Sequence, residues 1–207
     1  MTAAIAVLDE AGVTGLSMRR VAEYLGTGAA SLYGYVSGRE ELLELVYDEL
    51  VGQVPLPVPD PERWREQVFD MLRGLRAVLM SHRDAALAGL GRIPTSPQTL
   101  AATEVLVTTL RMGGLTDRVV ALGLDQLILY VSACAFEDGL LKQSGMDPEE
   151  VQRYFDEVHA FFGALPSAQF PVLASIAQDM TSADGDERFE FGLAAFVAGL
   201  EAMSRVE

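Results

Sequence analysis

A single cysteine, Cys134, stands in the 207 residues, which excludes an internal disulfide and any cysteine-rich metal site; it reads as a small buried hydrophobe. The two histidines, His82 and His159, are as sparse. Asp156-x-x-His159 has helical ligand spacing, but without a second Glu-x-x-His it falls short of a di-iron site, and both histidines are expected in surface or capping roles. No Ser-His-Asp order, glycine-rich phosphate loop or pair of catalytic carboxylates in context is present. No catalytic residue, cofactor or metal is therefore assigned, and an enzyme is the weak alternative. No apolar run approaches the roughly 18 residues of a membrane span, and the start lacks a basic stretch followed by an apolar one. The expectation is a soluble, cytoplasmic protein with no membrane partner. Lysine is nearly missing, Lys142 being the only one, and the formal net charge is −15. Such a charge opposes non-specific binding to a polyanion, since that affinity comes from cations at phosphates.

What is present is apolar and helical in period. Half the residues are hydrophobic, and no alternating pattern survives over four positions outside the connectors, so the chain reads as all-α. The organising stretch is Leu16 to Leu42. In its first helix Val21, Ala22 and Leu25 share one side, with Arg19, Arg20 and Glu23 on the other. Gly26 ends that helix and Thr27 can cap the next, Gly28 to Tyr35, which buries Leu32 and Val36 and presents Gly28, Ala29, Ala30, Ser31, Tyr33 and Tyr35. Ser37 to Glu40 reads as a capping box opening a third helix that continues through Leu50. This is a helix-turn-helix with its support helix, preceded by a helix from Thr2 to Ala11.

Pro55, Pro57, Pro59 and Pro61 then form a stiff connector, dividing residues 1–54 from residues 60–207. Behind it, Asp60 and Pro61 are expected to start a helix carrying Trp64, Val68, Met71, Leu72, Leu75 and Leu79 down to Ser81. A short helix to Leu90, one from Ser96-Pro97 to Met112, and a long one from Asp117 to about Lys142 follow. The long helix is apolar nearly all round and must be covered on both sides. Asp147 and Glu150 cap another, with Val151, Tyr154, Phe155, Val158, Phe161 and Phe162 expected inward. The segment from Ala164 to Gly185 is ambiguous, with a short helix at Val172 to Gln178. A last helix runs from Asp186 to about Ser204.

The Leu-Ser-x-Arg-x-Val-Ala start, the glycine turn, Leu-Tyr in the second helix and the basic residue ahead of Glu-x-Leu resemble the DNA-binding domain of the tetracycline repressor (TetR) family of bacterial regulators. The stretch SHRDAALAGLGRIPTSPQ, the Gly-Gly-Leu-Thr turn, Phe-Glu-Asp at Phe136 to Asp138 and FEFGLAAFVAGLE look like its tetracycline-repressor class of ligand-binding domain. The resemblance covers nearly the whole chain. It implies a homodimer that binds a palindromic double-stranded DNA operator and leaves it when a small-molecule effector occupies the C-terminal domain. It also implies a basic arm ahead of the first helix. Arg19, Gly28, Ala29, Ala30, Ser31, Tyr33, Tyr35 and Arg39 match its DNA-contacting positions. Arginine is the usual partner of guanine in the major groove, which suits Arg19, and Arg39 matches a phosphate clamp.

Tetracycline-binding members hold the drug as a magnesium chelate, yet Met71, Leu75, Gly89 and Val105 stand at the corresponding positions and only Glu137 offers an acid. One carboxylate does not make a magnesium site. An apolar, drug-sized or polyketide-like effector is expected instead. Its walls would be Met71, Leu75, Leu79, Leu90, Ile93, Val105, Leu127, Tyr130, Val131 and Cys134, with Arg92, Thr109 or Glu137 as polar anchors. For the dimer, Gly192, Ala195, Gly199 and Ala202 make a stripe of small residues facing the partner, opposite Phe189, Leu193, Phe196, Val197 and Leu200. The acidic charge keeps a rival open: a helical small-molecule-binding or scaffold protein that no longer binds DNA.

Overall fold

The computed structural model describes residues 1–91 and 95–206; Arg92 and Ile93, named above for the effector site, lie outside the described residues. Among the described residues there are eleven helices and no strand: α1 Thr2–Gly15, α2 Met18–Tyr24, α3 Ala29–Leu32, α4 Arg39–Val51, α5 Trp64–Ser81, α6 Ala85–Gly89, α7 Pro97–Met112, α8 Asp117–Gln143, α9 Pro148–Gly163, α10 Pro171–Ser182 and α11 Gly185–Ser204.

The helix-turn-helix is built from local caps. Ser17 caps α2, its hydroxyl accepting from the Arg20 amide at 3.3 Å. At the other end Gly26 adopts φ 66°, while the Thr27 amide donates to the Ala22 carbonyl and the Gly26 amide to Glu23. That pair of bonds is the Schellman closure, which needs a left-handed residue where a side chain would be strained. Three details differ from expectation. Thr27 does not cap α3; its hydroxyl lies 3.0 Å from that of Ser31, which donates back to the Gly28 carbonyl at 2.6 Å. The regular part of α3 is Ala29–Leu32, because the Ser31 bond and Gly34 leave no continuous ladder to Tyr35. The capping box moves by one residue: Glu41, not Glu40, accepts from the Ser37 amide at 2.6 Å, and Gly38 is the N-cap of α4.

In the larger part, α5 and α8 cross at the centre, α7 and α6 flank them, and α11 lies along α8. Val68, Leu72, Leu110, Leu127, Val131, Phe189 and Leu193 are buried there, and the same apolar cluster continues through Leu50 and Val46 to Leu16 and Leu8 of the helix-turn-helix. Helix α5 starts at Trp64 rather than Pro61, since Asp60 closes a separate turn by accepting from Glu62, while Gln67 ties the connector down through the Asp60 amide and the Val58 carbonyl. Helices α8 and α11 approach through reciprocal notches. Leu200 fills the space beside Gly123, and Tyr130 fills that beside Gly192. By length and composition α8 could cross a membrane. Its place explains that composition, because Val119, Gly123, Leu127, Val131 and Ala135 are buried against several neighbours.

Helix α9 departs from expectation. Its capping box forms as read, but no residue on it is buried, and Tyr154, Phe155 and Phe161 are exposed rather than inward. It packs on α10, which is a full helix and not a short one within a connector. Amphipathic period marks a face to be covered; it does not say by which chain.

The two parts are also joined at the α5–α6 corner. There His82 Nδ1 lies 3.0 Å from the Asp9 carboxylate, the Arg83 guanidinium donates to the Glu10 carbonyl, and Asp84 accepts from the Val13 amide.

Candidate functional sites: the helix-turn-helix face and an adjoining cavity

Helix α3 and the turn after it present Ser31, Tyr33 and Tyr35 to solvent, the last at 84% exposure. Gly28 and Ala30 are exposed beside them and Ala29 is half-buried. The Arg19 side chain is exposed, 3.7 Å from Glu23 one turn on; a pair so open to water holds it weakly and leaves it available. Leu25, expected on the buried side of α2, is 53% exposed next to Tyr24, because the glycine closure turns it outward. Arg39 is not extended from the surface. Its Nε donates to the Leu16 carbonyl at 3.1 Å and Nη2 to the Val13 carbonyl at 2.7 Å, so it caps the end of α1 and fixes α4 against it.

The acids that make this part electronegative are largely turned elsewhere. Asp9 holds the α5–α6 corner, Glu41 the Ser37 amide, and Glu44 and Asp48 face the start of α7. The Ser37 hydroxyl and amide hold the Glu41 carboxyl below the usual carboxylate range. Glu23, exposed beside Arg19, remains an acid next to the exposed tyrosine face.

Beneath α4 lies a cavity of about 390 Å³. Tyr47 and Val51 of α4 form one wall, Val54 and Leu56 of the connector another, and Met71, Leu72 and Leu75 of α5 the floor. Gly89, Leu90 and Gly91 close one end; Thr99, Ala102, Thr103 and Leu106 of α7 and Ala121, Leu124, Asp125, Ile128, Leu129 and Ser132 of α8 complete it. Burial pushes the Tyr47 hydroxyl up from its ordinary value, so it is a neutral donor and acceptor. Asp125 is the only carboxylate among the described lining residues, and among the described residues no group of three metal-ligating side chains exists.

Of the expected walls, Met71, Leu75 and Leu90 line this space. The other expected walls among the described residues do not, for identifiable reasons. Leu79, Leu127 and Val131 are fully buried in the core between α5, α8 and α11. Tyr130 stacks on Phe189 and donates to the carbonyls of Arg188 and Phe189, with Cys134 packed against the core on the same helix. Thr109 donates to the Val105 carbonyl one turn back, and neither faces the cavity. Glu137 is exposed, 3.9 Å from Arg188. The cavity faces the adjacent side of α8, roughly one residue's 100° of helix rotation away. Gly192 is likewise not on an open stripe, being filled by Tyr130 of its own chain, whereas Ala195, Gly199 and Ala202 are exposed.

Residues 1–46 match the family model for bacterial regulatory proteins of the tetR family, and residues 56–204 that for the tetracyclin repressor-like C-terminal domain. The chain is 32% identical over 207 residues to the HTH-type transcriptional repressor DrrR1 of Streptomyces coeruleorubidus, covering 97% of this chain and 75% of that one. It is 26% identical over 203 residues to the class C tetracycline repressor protein of Escherichia coli, covering 97% and 88%. The crystal structure of ActR of Streptomyces coelicolor in complex with actinorhodin superposes with a TM-score of 0.84 at 41% identity, covering 98% of this chain and 95% of that one.

Proposed function

This chain belongs to the tetR family of bacterial regulatory proteins, and from that premise we propose that it is a ligand-responsive, dimeric transcriptional repressor whose effector is a largely apolar, drug-sized molecule. The observation that carries the reading is the shared wall: α4, the last helix of the helix-turn-helix unit, contributes Tyr47 and Val51 to the cavity. A guest there touches both the DNA-reading unit and the larger helical part, so it can bind one arrangement of the two better than another. The lining, apolar with a few hydroxyls, suits a polyketide-like or other apolar, drug-sized molecule, and the similar ActR structure holds actinorhodin. The protein acts on DNA in the cytoplasm, without a catalytic step, membrane or metal cofactor.

On the DNA side, residues 1–54 insert α3 into the major groove, where Ser31, Tyr33, Tyr35 and Arg19 make the contacts. Arg39 acts as a positioning residue through the end of α1. Because Arg19 and Arg20 are the arginines of this unit left exposed, operator affinity is expected to depend weakly on salt. With two phosphates neutralised per subunit, log affinity against log salt should have a slope of about −4 for the dimer, shallow for a repressor.

The test is selection from random duplex DNA, then release of the selected operator by actinorhodin or 1,8-dihydroxyanthraquinone, with and without a magnesium chelator. Release unaffected by chelation is expected, and Ala102→Phe, which fills the cavity, should abolish release while the operator still binds. A chain that selects no sequence is the rival effector-binding scaffold. Release that requires magnesium would overturn the effector class.

A further inference from the structure

The first turn of a helix carries amides without intrahelical acceptors, and a cap residue of the same segment normally supplies one. Helix α7 is built otherwise. The hydroxyl of its N-cap, Ser96, makes no cap bond and donates instead to Glu44 of α4 at 2.8 Å, as Thr95 does at 2.9 Å. The α7 amides are served from α4 as well. Asp48 Oδ1 accepts from the Thr99 amide and the Thr99 hydroxyl, both at 2.8 Å, and Oδ2 takes a longer bond of 3.4 Å from Gln98. Asp48 is buried at this contact, and Gly52 one turn on packs against the Gln98 side chain. Thr99 also lines the cavity, as does Tyr47, the chain neighbour of Asp48.

We infer that Asp48 is the positioning residue through which occupancy of the cavity reaches the DNA-reading helices, with Thr99 as the contact it senses. The inference rests on the repressor reading above. A guest that competes for the Thr99 hydroxyl, or displaces the first turn of α7, cannot do so without loosening Asp48 and with it α4, which runs back to Arg39 and the end of α3. Coupling between two ligands is a free energy held in a contact that differs between states, and this contact joins the cavity wall to the reading head.

The test uses the full-length dimer with Asp48→Asn and Asp48→Ala, its selected operator, and 1,8-dihydroxyanthraquinone as probe. Three quantities are measured: operator affinity without probe, probe affinity without operator, and the probe concentration for half release. Both variants should keep the first two within about threefold of the parent, while half release needs about tenfold more probe for Asp48→Ala and an intermediate amount for Asp48→Asn. Hydrogen exchange at the Gln98 and Thr99 amides should accelerate in the same order. Parent-like release, release lost only in proportion to probe affinity, or unchanged exchange at Thr99 would each overturn the inference. If Asp48→Ala does not fold, Asp48→Asn decides. A parent that binds operator but is not released by the probe defeats the repressor reading first, and the coupling falls with it; a parent released no more easily than its variants defeats the coupling alone.

Discussion

Replacing Gly199 with leucine is expected to turn the dimer into a monomer and to weaken operator binding by at least about a hundredfold, the loss of having two half-sites engaged together. The substitution is chosen because its own chain leaves the place open: apart from the local backbone of α11 and the two chain neighbours, no atom of the described residues lies within 4 Å of where a side chain would start. Ala195, Gly199 and Ala202 are exposed along α11, and Leu122 and Leu140 along α8, so large apolar groups and a small-residue stripe are both left uncovered by one chain. Two helices pack at about 8–10 Å when small residues line the contact, and a leucine at its centre forces them apart. Sedimentation at micromolar concentration reads the first effect and a shift assay on two half-sites about 34–36 Å apart the second. A variant that stays dimeric would remove α11 from the interface. A folded monomer is the expected product, because the core stripe of Phe189, Leu193 and Val197 is untouched.

The second large effect concerns Arg76, buried on α5. Its Nε and Nη2 donate to Asp138 of α8 at 3.1 and 2.6 Å, Nη1 donates to Asp186 of α11 at 2.7 Å, and the guanidinium lies 4.5 Å over the Phe189 ring. Burial works against its charge, but the bonds to Asp138 and Asp186 outweigh that and raise its pKa, so it stays protonated. Alanine at this position removes the cation and leaves the Asp138 carboxylate, itself largely shielded from water, without a partner. Breaking a buried pair from one side costs about 3–5 kcal/mol. For a chain of this size that lowers the melting temperature by roughly 6–20 °C. Arg73, less than one turn away, is the control. It bonds Glu190 with two nitrogens at 2.7 Å, but both side chains are more than a third exposed, so Arg73→Ala should cost no more than about 1 kcal/mol. Equal losses for the two alanines would show that burial does not set the value of the pair.

Legibility followed the range of the interactions. The closure of α2 at Gly26 and the Asp147–Glu150 box of α9 are bonds among residues at most five apart, and both stand where the residue types place them. The one-residue shift from Glu40 to Glu41 shows the limit of that reading, since two adjacent acids offer the same chemistry and only the backbone path from Ser37 chooses between them. The resemblance makes Arg39 a phosphate clamp, and nothing local betrays that carbonyls 23 and 26 residues earlier claim it. Nothing beside Glu44 and Asp48 in the chain points to their partners at the start of α7, about 50 residues on, for the same reason.

What the sequence determined by itself was therefore the all-α class, the bounds of α7, α8, α9 and α11 to within about a residue, and the family resemblance, because caps, turns and apolar period are satisfied within a few residues. The tertiary structure decided which faces those helices use. Helix α8 is apolar nearly all round, so its residues do not say that Leu127 and Val131 close the core while Leu124, Ile128 and Leu129 open on a cavity; the neighbours α5, α7 and α11 do. Gly192 and Gly199 are identical in composition and differ only in that Tyr130 of the same chain reaches the first and nothing reaches the second. A side chain's chemistry is written at its own position, but the surroundings that give it a role come from segments far away in the chain.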